Sequence, residues 1–155
     1  MPNLQTRKQE MKKILFTIML FMSIVLSGYA QANKIIGKWK TIDDKDGSAK
    51  SIVEIFKATN GKYYGKIVKL FKEQDRKCTD CQGSNKDKPI LGMMIVENLV
   101  DKDGKLAEGT ILDPKNGKVY NCSINIDGND DKLNVRGSLD RFGMVGRNQT
   151  WIRFK

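Results

Sequence analysis

Val119-Tyr120-Asn121-Cys122-Ser123-Ile124-Asn125-Ile126, followed by Asp127-Gly128-Asn129-Asp130 and then by Leu133-Asn134-Val135-Arg136-Gly137, is the stretch on which the fold turns. In the first run Tyr120, Cys122, Ile124 and Ile126 share one side of an extended chain while Asn121, Ser123 and Asn125 share the other, because successive strand side chains point to opposite faces. Helical spacing would scatter the same apolar residues around the axis. Leu133, Val135 and Gly137 alternate with Lys132, Asn134 and Arg136 in the same manner. The Asp-Gly-Asn-Asp segment between the runs supplies the turn chemistry of a tight reversal. The stretch reads as a β-hairpin with one core face and one wet face.

Outward from this hairpin, similar short runs recur at 36–42, 51–57, 62–70, 93–99, 108–112 and 145–154, each closed by Gly, Asn or Asp. Asp113-Pro114-Lys115-Asn116-Gly117 and Asn60-Gly61 are tight turns, proline presetting one φ and glycine supplying a positive one. No stretch of the same region sustains a helical period. About eight short antiparallel strands can close on themselves, which removes exposed edges and leaves an interior wide enough for side chains or one small ligand. The expected fold is therefore all-β, a small antiparallel up-and-down barrel. One polar connection, 72–88, breaks the rhythm and carries two of the three cysteines. Long connections of this kind are often functional.

The first 32 residues differ in kind. Lys12 and Lys13 precede an apolar run at 14–26, and small residues follow, the order of a secretory signal peptide. The run is shorter than the ~20 residues that span a bilayer. Gly28-Tyr29-Ala30 and Ala30-Gln31-Ala32 both place small side chains one and three positions before a cut, and cleavage after Ala32 is favoured. Met11 alone could start a conventional signal. The expected product is one domain, residues 33–155, exported to the periplasm or outside the cell and without a transmembrane anchor or a cysteine for lipid attachment at its new end.

Loss of Arg7, Lys8, Lys12, Lys13 and Glu10 with the leader takes the formal charge from +10 to +7. A basic surface favours anionic partners such as phospholipid head groups, envelope polymers or nucleic acid, of which export disfavours the last. The lysines are interspersed with acids, as on a solubilising surface. The chain contains no histidine. That excludes Ser-His and Cys-His nucleophile pairs, histidine-ligated zinc and histidine-ligated haem.

Cys78-Thr79-Asp80-Cys81 is the strongest candidate for chemistry. The helix N-terminus of a thioredoxin-type site is missing, and zinc lacks a second ligand pair. Export favours a short disulfide between Cys78 and Cys81, with thiol redox work as the alternative. Cys122 lies on the apolar face of its strand and reads as core. Asp44 and Asp101 begin loops that resemble calcium sites, but Ile55 and Leu112 stand where the bidentate glutamate belongs, so they read as turns. No carboxylate pair, including Asp113, Glu54 and Glu97, has a spacing that argues for acid–base work. Asn121 and Asn148 open glycosylation sequons within predicted strands and are discounted. Catalytic residues, metals and cofactors are not expected.

Gly37-Lys38-Trp39 opens the first strand and Trp151-Ile152-Arg153 closes the last. A tryptophan there can plug a barrel end while the arginine stacks on it and donates to nearby backbone, the arrangement of calycins and lipocalins, which this pair resembles. Over the rest of the chain Gly37-Lys38-Trp39-Lys40-Thr41-Ile42-Asp43-Asp44, Tyr64-Gly65-Lys66-Ile67, Cys78-Thr79-Asp80-Cys81, Ile90-Leu91-Gly92-Met93, the run from Ile111 to Tyr120 and Thr150-Trp151-Ile152-Arg153 are similar to an uncharacterised family of small exported bacterial proteins, domain of unknown function 2147. That resemblance implies a lipocalin-like barrel and no established activity.

The functional expectation is a non-enzymatic protein that binds a small apolar or amphipathic ligand in, or at the mouth of, the barrel. Tyr63, Tyr64, Ile67, Tyr120 and Ile124 are the candidate lining, and Gly37, Trp39, Trp151 and Arg153 the structural closure. The alternatives are an envelope protein that docks a protein or membrane partner through the 72–88 loop, and thiol–disulfide exchange at the Cys-x-x-Cys.

Overall fold

The computed structural model describes the backbone of residues 4–155 and the side chains of all of these but 4, 6 and 19–31. Helix α1 (Leu4–Ile35) precedes eight strands: β1 (Gly37–Ile42), β2 (Ala49–Lys57), β3 (Tyr63–Leu70), β4 (Met94–Lys102), β5 (Lys105–Asp113), β6 (Lys118–Ile126), β7 (Lys132–Ser138) and β8 (Gly146–Arg153). They pair antiparallel in chain order, and β8 returns to β1 to close the barrel. The expected all-β, lipocalin-like architecture is present.

The hairpin on which the fold was read is β6–β7, with Ile126 opposite Leu133, Ile124 opposite Val135 and Cys122 opposite Gly137. Its apolar face is the barrel interior, where Cys122, Ile124, Leu133 and Val135 are buried. The sequence pattern ends the fourth strand at Leu99 and begins the fifth at Glu108, whereas both strands continue to a two-residue turn at Asp103-Gly104. Asn98 and Glu108 adopt positive φ, 62° and 61°. Each interrupts the pleat, so Leu99 and Leu106 fall out of phase with the alternation of their neighbours while still pointing to the core.

The two ends of the barrel differ. At one end Trp39, Ile55, Tyr63, Leu99, Leu106, Ile124 and Leu133 fill the interior and are almost completely buried. Ala32 and Ile35, from the last turn of α1, are buried with them in the same core. The Trp39 indole N–H donates to the Ile35 carbonyl at 2.8 Å. Arg153 lies over the Trp39 ring, its guanidinium carbon 4.0 Å from the centroid. It donates to the carbonyls of Asp130 at 2.8 Å and Lys34 at 2.5 Å. Gly37 makes room for it: φ is 130°, and a Cβ there would sit 3.3 Å from the guanidinium.

The segment read as a signal peptide coincides with α1. Met11, Ile14, Leu15, Phe16 and Ile18 are exposed on it. Residues 19–31, which hold the rest of the apolar run and the first cleavage register, have side chains outside those described. Among the described residues no helix is long and apolar enough to cross a membrane.

Arg153 joins β8, β1 and the β6–β7 turn through one planar, permanently charged group, so its removal leaves two carbonyls without their donor. Arg153→Ala is expected to cost about 1–2 kcal/mol, read as a drop of roughly 5 °C in thermal melting. Arg153→Lys should recover only part of that, because an ammonium cannot stack and donate in two directions in the same geometry.

Candidate functional site

At the other end the interior is not filled. A cavity of about 730 Å³ opens between the β1–β2, β3–β4, β5–β6 and β7–β8 connections. Its apolar lining includes Ile67, Ile95, Ile111, Val135 and Trp151. Small residues make the space: Thr41, Ser51 and Gly137 line it where bulkier side chains stand at the closed end. A Cβ built on Gly137 would lie 3.6 Å from the Ile111 side chain and 3.7 Å from Tyr120, in ordinary contact, which places that position on the inner wall. Lys50, Lys72, Arg76, Lys115 and Arg147 stand around the mouth with Asp43, Asp46, Glu73 and Asp113.

Two polar features lie within this lining. The Thr41 and Ser51 hydroxyls are 2.8 Å apart and bonded to each other. The Trp151 indole N–H is buried without a partner, the single such side-chain nitrogen or oxygen among the described residues. A buried donor left unmatched is costly, and an acceptor brought by a ligand would remove that cost.

The expected lining residues are distributed along the barrel axis. Ile67 and Tyr120 line the cavity, and the Tyr120 hydroxyl accepts from Asn116 Nδ2 at 3.2 Å. Tyr63 and Ile124 are buried in the filled end beneath it. Tyr64 is on the outer face, stacked with Phe56 at 6.1 Å between ring centres and donating to Asn98 Oδ1 at 3.0 Å. Trp151 does more than close the structure, since it forms part of the cavity wall. Ile111, Val135 and Gly137 also line it; the sequence places Val135 and Gly137 on the core face of their hairpin but marks none of the three as lining. The phase of β7 is legible in the sequence, but which end of the barrel stays open is not.

The 72–88 connection folds back as a small hairpin, with Lys77 bridging Pro89 and the Cys78 N–H donating to the Lys88 carbonyl at 2.9 Å. Cys78 and Cys81 form a disulfide, with 5.3 Å between their Cα atoms. Both are fully buried. Cys78 Sγ lies 3.4 Å from the Pro114 carbonyl oxygen in the β5–β6 turn. Gly117, with φ of 69°, packs so closely on the Asp80 backbone that any Cβ would overlap it. The bridged loop is thus pressed onto the β5–β6 turn, and its flanks supply Lys72, Glu73, Arg76 and Ile90 to the cavity.

Cys122 is free and buried. Burial disfavours its thiolate and pushes the thiol up to about 12 from an ordinary value of 9.0. The described residues contain no group of His, Cys, Asp or Glu side chains arranged to hold a metal.

A closed eight-stranded antiparallel barrel, plugged by a tryptophan–arginine pair at one end and hollow at the other, is a lipocalin-like protein in architecture. The chain belongs to the family described as uncharacterized proteins conserved in bacteria (DUF2147), whose model matches residues 37–153. Among solved structures it is similar to protein HP1028 from the human pathogen Helicobacter pylori, which belongs to the lipocalin family. That match has a TM-score of 0.68 and 22% identity, and covers 78% of this chain and 83% of the other. At this identity the likeness is one of fold. Comparison with curated proteins finds no match.

The buried thiol makes stability depend on pH in a definite direction. Between about pH 9 and 12 the unfolded chain has lost the Cys122 proton while the folded chain keeps it, so the unfolded state binds fewer protons and stability falls as pH rises. Urea midpoints of the wild type should decline through this window more steeply than those of Cys122→Ala, with a constant difference between the two below pH 9.

Proposed function

We propose that this protein is a non-enzymatic carrier or receptor for a small amphipathic molecule, held with its apolar body in the barrel and its polar end at the mouth. The cavity carries this reading. Its volume of about 730 Å³ falls within the range of ~300–1,000 Å³ usual for small-molecule sites. Its interior is apolar, its rim is charged, and its wall contains an indole donor without an acceptor. Burying an alkyl chain there gains roughly 0.8 kcal/mol per methylene, which is the main source of affinity available to such a site.

The burial of both Cys78 and Cys81 favours a structural clasp over thiol exchange, which needs a thiolate to reach a sulfur. The setting we propose is the cell envelope or its exterior, reached through a signal peptide ending near Ala32. The ordered basic, apolar and small-residue segments support it. N-terminal sequencing of the protein recovered from a secreting host is expected to start at Asn33; recovery of the intact N-terminus from the cytoplasm would overturn it.

A fluorescent polyene fatty acid is a suitable probe of the cavity, because it lights up only when shielded from water. Wild-type protein should bind it saturably with one site. Gly137→Leu, which projects an alkyl group between Ile111 and Tyr120, should weaken binding at least about tenfold while leaving thermal melting unchanged or higher, since it fills space that is empty in the folded barrel. Saturable binding that survives this substitution, or none in the wild type, would overturn the proposal.

A further inference from the structure

Lysines that alternate with acids along the chain are sorted by the fold onto one wall of the barrel. Strand side chains point alternately in and out, so with Trp39, Val53, Ile55, Ile67, Leu133 and Trp151 in the core, the residues between them face outward. Across the seam these form a registered row: Lys132 on β7, Ile152 on β8, Lys40 on β1, Ile52 on β2 and Lys69 on β3. A second row, nearer the capped end, holds Lys38, Glu54 and Lys66 on β1, β2 and β3. Lys38, Lys40, Lys66, Lys69 and Lys132 therefore share with the single carboxylate of Glu54 a band that crosses four strand spacings, roughly 19 Å.

These charges are not neutralised within the molecule. None of the five lysines has an ion-pair partner among the described residues. Lys69 Nζ lies 5.1 Å from the centre of the Phe71 ring, a contact that leaves its charge in place. Ile52 is only 2% exposed although it points away from the interior, because the alkyl stems of Lys40 and Lys69 flank it. The carboxylates at the margins are already engaged, Asp43 with Lys50, Asp44 with Arg147, Asp130 with Lys34 and Asp131 with Lys155. Glu97 stands one strand further on, in β4. Helix α1 packs against β4, β5 and β6 and leaves the band uncovered.

The composition of the band selects among anionic partners. Lysine is depleted at protein–protein interfaces, which rest on aromatic and arginine anchors. A bilayer surface is gripped by apolar side chains that project into it, whereas here Ile152 and Phe71, 37% and 38% exposed, lie among the lysine stems. Single-stranded nucleic acid needs open rings for its bases to stack on, but the Phe71 ring is covered by Lys69 and the Tyr64 ring is stacked on Phe56. What remains is a hydrated linear chain with repeated negative charges, which flexible ammonium groups meet as point charges without fixed geometry.

We infer that the outer wall formed by β7, β8, β1, β2 and β3 is a binding surface for an acidic polysaccharide, held by Lys38, Lys40, Lys66, Lys69 and Lys132. The exported setting proposed above is where such a polymer would be met. The surface is separate from the cavity, and its occupancy does not depend on a ligand in the barrel.

The test compares two charge reversals of equal size on the full chain. Fluorescein-labelled oligogalacturonate is the probe, read by anisotropy at low salt. Wild-type protein should bind it saturably, and neutral dextran should not displace it. Lys38→Glu with Lys69→Glu should weaken binding at least about tenfold, and the milder Lys38→Gln with Lys69→Gln about threefold. Lys105→Glu with Lys118→Glu, on β5 and β6, makes the same change in net charge and should alter binding less than about twofold. All these side chains are exposed, so thermal melting should stay close to that of the wild type. Equal weakening by the two glutamate pairs would reduce the effect to net charge and overturn the inference, as would no saturable binding by the wild type. Displacement of the probe by polyuridylate or polyglutamate at a lower concentration of charge than unlabelled polygalacturonate would overturn it in favour of nucleic acid or an acidic protein segment.

Discussion

The barrel is closed by its shortest ladder. β1 meets β8 at only two registered pairs, Trp39 with Arg153 and Lys40 with Ile152, whereas β7 and β8 share seven. Two pairs are little to hold the seam of a sheet whose twist must bring first and last strands together. The remaining cohesion comes from side chains at that seam. Arg153 stacks on Trp39, reaches across to the carbonyls of Asp130 and Lys34, and draws the β6–β7 turn and the end of α1 over the same opening. Trp39 is itself fastened to Ile35. One cation over one indole therefore closes the seam and caps the barrel end together.

That closure fixes where a ligand can go. Large side chains gather beneath the cap, so the filled half of the barrel is a core in the ordinary sense, packed by Tyr63, Leu99, Leu106, Ile124 and Leu133. Toward the other end the inward positions become small or short, with Gly137, Ser51, Thr41 and Val135, and the same strand spacing then encloses empty volume. The cavity is thus a consequence of a size gradient along the axis, and no special loop geometry is needed to make it. What the loops add is the wall above it. The disulfide-bridged segment is pinned to the β5–β6 turn by the close approach of Asp80 to Gly117, which gives one side of the mouth a fixed rim.

The legible and illegible parts of this molecule divide along a physical line. Strands such as β6 and β7 were plain in the sequence because strict alternation at Tyr120, Cys122, Ile124 and Ile126 records which face is dry. β4 and β5 run beyond their periodic portions because positive φ at Asn98 and Glu108 shifts that alternation, and nothing in an Asn or a Glu announces it. The lining was harder still. Alternation identifies the inward face but not the height along the barrel, so Tyr63 and Ile124 share a face with Ile67 and Tyr120 yet sit in the filled half. Two adjacent tyrosines leave the phase at 63–64 ambiguous in sequence, and it is Tyr64 that turns outward. The exposure of the 139–145 loop is illegible for a related reason: Leu139, Phe142, Met144 and Val145 follow no period, and an aperiodic cluster carries no sign of whether it will be buried.

Three cysteines in one chain show how far environment outranks residue type. Cys122 is walled into the barrel, where the low polarity that suits a small apolar side chain suppresses its thiolate. Cys78 and Cys81 are just as buried, yet they are buried beneath a loop and against each other, so their covalent bond replaces the core that a polar segment of that length could not form by itself. The bridge closes only a short loop, and its main consequence is positional. It holds Asp80 against Gly117, and with it the stretch from Lys72 to Ile90 against the rim, so that charges at 72, 73 and 76 face the mouth. The opposite rim is held without any covalent bond, by the Asp140 carboxylate and the Arg136 guanidinium on backbone groups. Both rims are therefore rigid, and the space between them is kept open by the fold and does not depend on the ligand that would fill it.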